Sequence, residues 1–224
     1  MAHSTISRTA VRTAVRNADA HADSGAQQVL WLVRHGESTW NTLGLAQGHN
    51  DQARLTDSGV RQAWAVVGQL CDRPIGALFA SDLHRAMETA APLASVLGLA
   101  VNRDTRLRER CLGAAEGTAT AAIPAELSGL RADRVVDPDA RPPGGESLRD
   151  FYRRVAGFAD ELATRGLSTG SKGATEVAVV AHGGTLRMLT AYLRGIPVEA
   201  MTWDPFANGC VLRASTTRIP REES

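Results

Sequence analysis

Two histidines carry the first chemical suggestion in this sequence. Arg34-His35-Gly36-Glu37 and His182-Gly183-Gly184 each place a histidine beside glycine, directly after a run of apolar residues. A third polar segment, Ser81-Asp82-Leu83-His84-Arg85-Ala86, follows another such run. A neutral imidazole is a nucleophile. A guanidinium is a planar fork that stays charged at any working pH and matches phosphate oxygens two at a time. Two such forks, from Arg34 and Arg85, on either side of an imidazole would make a phosphate clamp with a nucleophile inside it. Gly36, Gly183 and Gly184 would let backbone approach a ligand closely, and a helix opening near Thr185 would offer unpaired N–H groups to an anion. Singly, each element is common; their joint placement after three apolar runs is not.

The elements that would position these residues are legible around them. Val29 to Val33 is a continuous apolar run, as in a strand buried on both faces. Ser58 to Leu70 has helical spacing, with Val60, Trp64, Val67 and Leu70 on one face and Thr56 or Asp57 as N-cap. A second strand, Ala77 to Ala80, precedes a helix from about Leu83 to Leu97 and a short strand near Val101. After a looser region rich in Ala, Arg and Pro, a helix from about Ser147 to Thr164 turns Phe151, Val155, Phe158 and Leu162 inward. Val177 to Ala181 is a last buried strand, and Thr185 to Leu193 a last helix. Strand alternating with helix implies an α/β fold: one domain with a mostly parallel central sheet and helices on both faces. Ligands of such sheets bind outside the carboxyl ends of the strands, where His35 and His182 would meet.

With 224 residues, 22% charged and 43% hydrophobic, the chain has the length of one domain. A net charge of +1 points to neither a nucleic acid nor an acidic membrane surface as partner, so any anion site must be local. Cys71, Cys111 and Cys210 are odd in number, scattered and without a CxxC pair, which suits small buried residues in a reducing compartment. No run approaches the roughly twenty apolar residues of a membrane span. Residues 1–27 hold few large apolar side chains and read as a disordered tail. Their Arg8, Arg12 and Arg16, beside Val11 and Val15, read as a solvated stripe, and no apolar region follows to make a secretory signal. A cytoplasmic protein is expected, with a domain at 28–219, a lid at about 118–145 and a short tail at 220–224. No cluster of His, Asp and Glu has ligand spacing, so neither a metal nor another cofactor is expected.

Read in order from about residue 29 to 195, the segments Arg34 to Asn41, Leu55-Thr56 to Gly59, Ser81 to Ala90, Leu107-Arg108-Glu109, Pro143-Gly144-Gly145-Glu146-Ser147 and Ala181-His182-Gly183-Gly184 resemble the histidine phosphatase superfamily, also called the phosphoglycerate mutase-like family. The resemblance implies His35 as nucleophile, with Arg34, Arg85 and His182 completing the phosphate pocket. It implies Glu109 as proton donor and acceptor, where spacing alone would read a surface carboxylate between Arg108 and Arg110. Asn41, Gln47 and Gly48 match positions that contact phosphate or substrate, and Arg108 and Gly183 join them in the expected substrate-binding set. Glu37 is the rival acid, placed so close to His35 that capping or orienting a neighbour suits it better. His3, His21, His49 and His84 read as tail, loop or surface residues.

The resemblance implies a metal-independent phosphatase that acts on a small phosphorylated metabolite through a phosphohistidine on His35. Two alternatives stand beside it: a cofactor-dependent phosphoglycerate mutase, and a catalytically silent phosphate-binding module. The short stretch from Glu109 to His182, the brief end after Ile219, and Gly184 where mutases tend to carry Asn favour hydrolysis. Silence would predict the loss of a catalytic residue, yet all are present. Ala114-Ala115-Glu116-Gly117 departs from the aromatic residue that relatives often carry before Glu-Gly, which removes one wall of the usual pocket. In the lid, Arg131, Arg134 and Arg141 are placed either to meet a substrate carboxylate or to be solvated. Neither the ester cleaved nor a choice between monomer and homodimer can be read from the sequence.

Overall fold

The apolar run after Gln28 forms the central strand of a sheet in the computed structural model, which describes residues 28–131, 134–164, 176–203 and 205–215. The expected tails at 1–27 and 220–224 lie outside the described residues. In chain order the elements are β1 (Val29–Arg34), α1 (Thr39–Thr42), α2 (Asp57–Leu70), β2 (Ile75–Ala80), α3 (His84–Leu97) and β3 (Val101–Arg103). There follow α4 (Ala125–Ser128), β4 (Leu130–Arg131), β5 (Arg134–Val135), α5 (Leu148–Thr164), β6 (Glu176–Ala181), α6 (Gly183–Leu193) and β7 (Val211–Ser215).

The main sheet has the order β3-β2-β6-β1-β7. β1 and β2 both run parallel to β6, and β3 runs parallel to β2, while β7 closes the edge antiparallel to β1. Alternate residues of each strand serve two cores. Leu30, Leu32, Val177 and Val179 face Phe151, Phe158 and Leu186 of α5 and α6, and Val33, Leu78, Ala178 and Val180 face Val66, Leu70, Ala90 and Leu93 of α2 and α3. Helices therefore cover both faces, as the unbroken apolar runs of β1 and β6 require. β7 escapes a sequence reading because it is short and carries Arg213 at its centre.

One helix face differs from expectation. Val60 and Trp64 are 47% and 56% exposed, while Gly59, Ala63, Val66, Val67 and Leu70 are buried. The cause is a backbone contact at the start of α2: a Cβ on Gly59 would stand 2.1 Å from the Glu37 carbonyl oxygen. With Gly59 turned inward against the loop after β1, its neighbour Val60 must face out. Thr56 caps the helix, its Oγ1 accepting from Gly59 N at 3.1 Å. α5 opens on Ser147, whose Oγ accepts from Asp150 N at 3.0 Å while its own N donates to Asp150 Oδ2 at 3.2 Å.

Candidate active site

Strand register brings the distant motifs together. Arg34 pairs with Ala181 in the ladder, and His35 N donates to the Ala181 carbonyl at 2.9 Å, so the residues just past β1 and β6 stand side by side. Ser81, just past β2, donates its N–H to the Val180 carbonyl at 3.0 Å. The His35 and His182 rings lie edge to face, 5.1 Å between centroids. Both line a cavity of about 550 Å³, together with Arg34, Arg85 and Glu109.

The ring partners assign the protons. His35 Nδ1 lies 2.7 Å from the Gly36 carbonyl oxygen, which can only accept. Nδ1 therefore carries the hydrogen, and the lone pair sits on Nε2. His182 is held the other way round: Arg85 Nε donates to its Nδ1 at 3.2 Å, which leaves the Nε2 proton for Ser81 Oγ at 2.9 Å. Burial, then the nearby Arg85 charge, pushes both histidines well below the ordinary imidazole pKa of 6.5. Both rings are neutral at neutral pH. The positive charge of the pocket comes from the arginines, and His182 aligns one of them.

A pH dependence of stability follows. Unfolding frees His35 and His182 to protonate below about 6.5, whereas the fold keeps them neutral, so the unfolded chain binds more protons and stability falls as pH drops below that value. Each contributes a slope of up to about 1.4 kcal/mol per pH unit, and His49, also lowered by burial, adds to it. Carboxylates with depressed pKa values act only below their ordinary range near 4, which leaves pH 5 to 6.5 to the histidines. The thermal midpoint should fall steadily from pH 7 to pH 5; a flat profile there would mean that the rings are not held neutral.

Arg85 is fully buried. Besides Nε to His182, its Nη1 donates to the Asn50 carbonyl at 2.9 Å and its Nη2 to the Gly48 carbonyl at 2.8 Å. Three of its five N–H groups are so used and two remain. Burial lowers its pKa to about 10, which leaves it charged at neutral pH. Arg34 donates Nη1 to the Phe206 carbonyl, but its buried Nε has no acceptor among the described residues. Such an orphaned donor costs about 1–3 kcal/mol unless a ligand oxygen meets it.

Glu109 approaches from the other side. Its Oε2 accepts from Gly184 N at 2.9 Å, at the N-terminus of α6, and its Oε1 accepts from Arg110 N at 2.9 Å. Gly184 permits this approach: a Cβ there would stand 2.1 Å from Glu109 Oε1. Glu37 is turned away, its Oε1 accepting from the Thr56 hydroxyl at 2.7 Å. The cavity thus brings together the His35 imidazole with a free lone pair, the Arg34 and Arg85 guanidiniums with unused donors and the Glu109 carboxylate.

Comparison with known proteins gives the family. The sequence profile of the histidine phosphatase superfamily (branch 1) matches residues 30–219. The chain belongs to the histidine phosphatase superfamily. Over 171 residues it is 37% identical to a glucosyl-3-phosphoglycerate phosphatase of Mycolicibacterium vanbaalenii, covering 76% of each chain. Over 172 residues it is 35% identical to a Yersinia pestis protein named a probable phosphoglycerate mutase, covering 76% of this chain and 77% of that one. A solved mycobacterial glucosyl-3-phosphoglycerate phosphatase complexed with VO3 superposes with TM-score 0.70 at 32% identity, covering 83% of this chain and 90% of that one. The α-ribazole phosphatase of Shigella flexneri gives TM-score 0.69 at 28% identity, covering 83% and 89%.

Within this histidine phosphatase the expected binding residues fall into two groups. Asn41, Gln47, Gly48 and Gly183 line the cavity with the residues above. Asn41 Oδ1 collects Ser38 N at 3.0 Å and Asn208 Nδ2 at 3.1 Å, which leaves its Nδ2 for the cavity. Gly48 has φ +47, and a Cβ would stand 2.1 Å from Glu116 Oε1, so glycine is required to aim its carbonyl at Arg85. Arg108 is placed elsewhere: its guanidinium grips Asp82 with both ends, at 2.7 and 2.5 Å, and it does not line the cavity. Gly36 packs on protein instead of ligand, since a Cβ there would stand 2.4 Å from the Gly59 carbonyl oxygen.

Of the two placements open to the lid arginines, the structure shows the solvent-facing one. Thr120, Ile123, Ser128 and Leu130 line the cavity, but Arg131 and Arg134 are exposed and Arg141 pairs with Asp150 at 2.5 Å. A further cation lining the cavity is Arg187 of α6, stacked 4.9 Å from the Trp203 centroid. Trp203, Leu112 and Ile123 give the cavity apolar walls, and Ala114 and Ala115 do not line it. Arg110 is the residue that spacing conceals. It is 4% exposed and donates to the Ser128, Leu127 and Ala140 carbonyls, tying the lid to the segment that carries Glu109. His84 pairs with Asp51 at the surface, at 2.6 Å, whereas His49 is half-buried and its Nε2 has no partner among the described residues.

Proposed function

We propose that this protein hydrolyses the phosphomonoester of a small metabolite by forming and then cleaving a phosphohistidine on His35. The observation that carries the proposal is the pairing of a neutral His35, whose lone pair sits on Nε2, with the buried and unmatched Arg34 Nε in the same cavity. A phosphoryl group offers its phosphorus to the lone pair and an anionic oxygen to the N–H. In-line attack on phosphorus needs charge stabilisation more than covalent help, and the unused N–H groups of Arg34 and Arg85 supply it without reorganisation. That a mycobacterial relative forms a complex with VO3 supports the binding of an oxyanion by a protein of this fold.

The leaving alkoxide is a strong base and needs a proton. Glu109 is the carboxyl group that lines the cavity, and it can give that proton and then take one from the water that attacks phosphohistidine. Asn41, Gln47, Gly48 and Gly183 hold the phosphoryl group or the substrate around it. The unpaired thiols Cys71, Cys111 and Cys210 suit a reducing compartment, and we place the protein in the cytoplasm.

The name of the Yersinia relative raises the mutase reading. A panel of phosphorylated sugars, glycerates and amino acids, assayed with and without chelator, tests both. Release of inorganic phosphate in step with substrate loss is expected, and chelator should leave the rate unchanged because arginines offset the charge. Transfer to a second acceptor without phosphate release would favour the mutase; a rate lost with chelator and restored by a divalent ion would contradict the mechanism.

A further inference from the structure

The segment that carries Glu109 has no regular structure of its own to hold it. It leaves a single 3₁₀ turn at Leu107 and enters the next at Gly113. Backbone groups in such a stretch must find partners elsewhere, and one side chain meets the carbonyls of Arg108 and Glu109 together with that of Arg106 just before them. Arg154, in the middle of α5, donates Nη1 to the Arg106 carbonyl at 2.7 Å and the Arg108 carbonyl at 3.1 Å, and Nη2 to the Glu109 carbonyl itself at 3.1 Å. The same guanidinium is fixed from behind. Its Nε and Nη2 grip both oxygens of Glu146 at 2.7 and 2.8 Å, and it stacks 4.9 Å from the Phe151 centroid.

Glu146 closes the arrangement. Its Oε2 also accepts from Cys111 N at 2.9 Å, its own N donates to the Cys111 carbonyl at 2.8 Å, and its carbonyl takes Arg110 Nε at 2.8 Å. Residues on both sides of Glu109 are therefore held by one bidentate pair, with side chains 19% and 20% exposed. Neither Arg154 nor Glu146 lines the cavity. A planar fork with five fixed donors can serve a carboxylate and several carbonyls at once, which a lysine ammonium cannot do with the same geometry.

We propose that Arg154, locked by Glu146, is a positioning residue that sets where Glu109 delivers its proton. The inference rests on the reading of Glu109 as proton donor, and a double-mutant cycle separates the two. Arg154→Met should lower the single-turnover rate of phosphohistidine formation from an alkyl phosphate by about 10²-fold, the cost of a misplacement of about an ångström, with little change in KM and a smaller loss in that rate for an aryl phosphate, whose leaving group needs little proton. If Arg154 acts through Glu109, then Arg154→Met added to Glu109→Gln should lower the alkyl rate by less than about threefold more. Arg154→Lys should fall between wild type and methionine, and it carries the same cycle if the methionine variant does not fold. Equal losses in phosphohistidine formation from alkyl and aryl substrates, or losses that multiply in the double variant, would overturn the positioning role while leaving Glu109 as the donor. A Glu109→Gln variant that forms phosphohistidine equally slowly from both substrates, with no burst of phenol, would instead remove the donor reading, and the inference with it.

Discussion

Replacing His35 with alanine is expected to reduce turnover by about 10⁴- to 10⁶-fold, the scale seen when an enzyme loses its covalent nucleophile, while leaving the fold intact. The reason for the size is that no other group in the cavity can take its place. Both nitrogens of His182 are engaged, by Arg85 and Ser81. The reason for the intact fold is electrostatic. His35 is buried and neutral, so its removal strands no opposite charge, and it breaks only the side-chain hydrogen bond to the Gly36 carbonyl, 2.7 Å long. An unchanged far-ultraviolet spectrum beside a lost rate meets the expectation. Wild-type-like turnover in the variant would remove His35 from the chemistry.

The second large effect concerns Glu109, and its form is as informative as its size. Glu109→Gln keeps the shape of the side chain and can still accept one backbone N–H, from Gly184 or Arg110. It cannot release a proton to an alkoxide. General acid help is typically worth about 10² to 10⁴ in rate, so an alkyl phosphate should be slowed by that factor. A phenolate leaves with little help, and phosphohistidine should then form at a fair rate from an aryl phosphate. Its hydrolysis also needs Glu109, as base, and should become slow. The expected trace is a burst of phenol followed by a low steady rate. Equal damage to both substrates without a burst would shift the acid role to another group.

Much of this site is written in local patterns. The apolar runs of β1 and β6 identify buried parallel strands, and parallel pairing in register then dictates that Arg34, His35 and His182 meet. Arg85 follows in the same way from the end of β2. The supporting structure is less legible because it depends on contacts between positions far apart in the chain. Nothing in the spacing of Arg154 shows that its guanidinium reaches the Arg106 to Glu109 carbonyls, more than forty residues earlier. Arg108 and Arg110 flank Glu109 identically in sequence, yet one is drawn to Asp82 and the other to the carbonyls of the lid. The inward face of α2 is set by the contact of Gly59 with Glu37, which helical periodicity does not register. Ser147 to Asp150, by contrast, is a helix start that can be read on sight.

The central claim is a covalent bond between phosphorus and His35, and it can be observed directly. Glu109→Gln mixed with excess aryl phosphate and quenched in base, where phosphohistidine survives, should carry one phosphoryl group per chain. Digestion and fragmentation should place it on Nε2 of His35, because Nδ1 donates to the Gly36 carbonyl, and acid should remove it. A phosphoryl group on another residue, or a variant that turns over aryl phosphate without ever becoming labelled, would contradict the account.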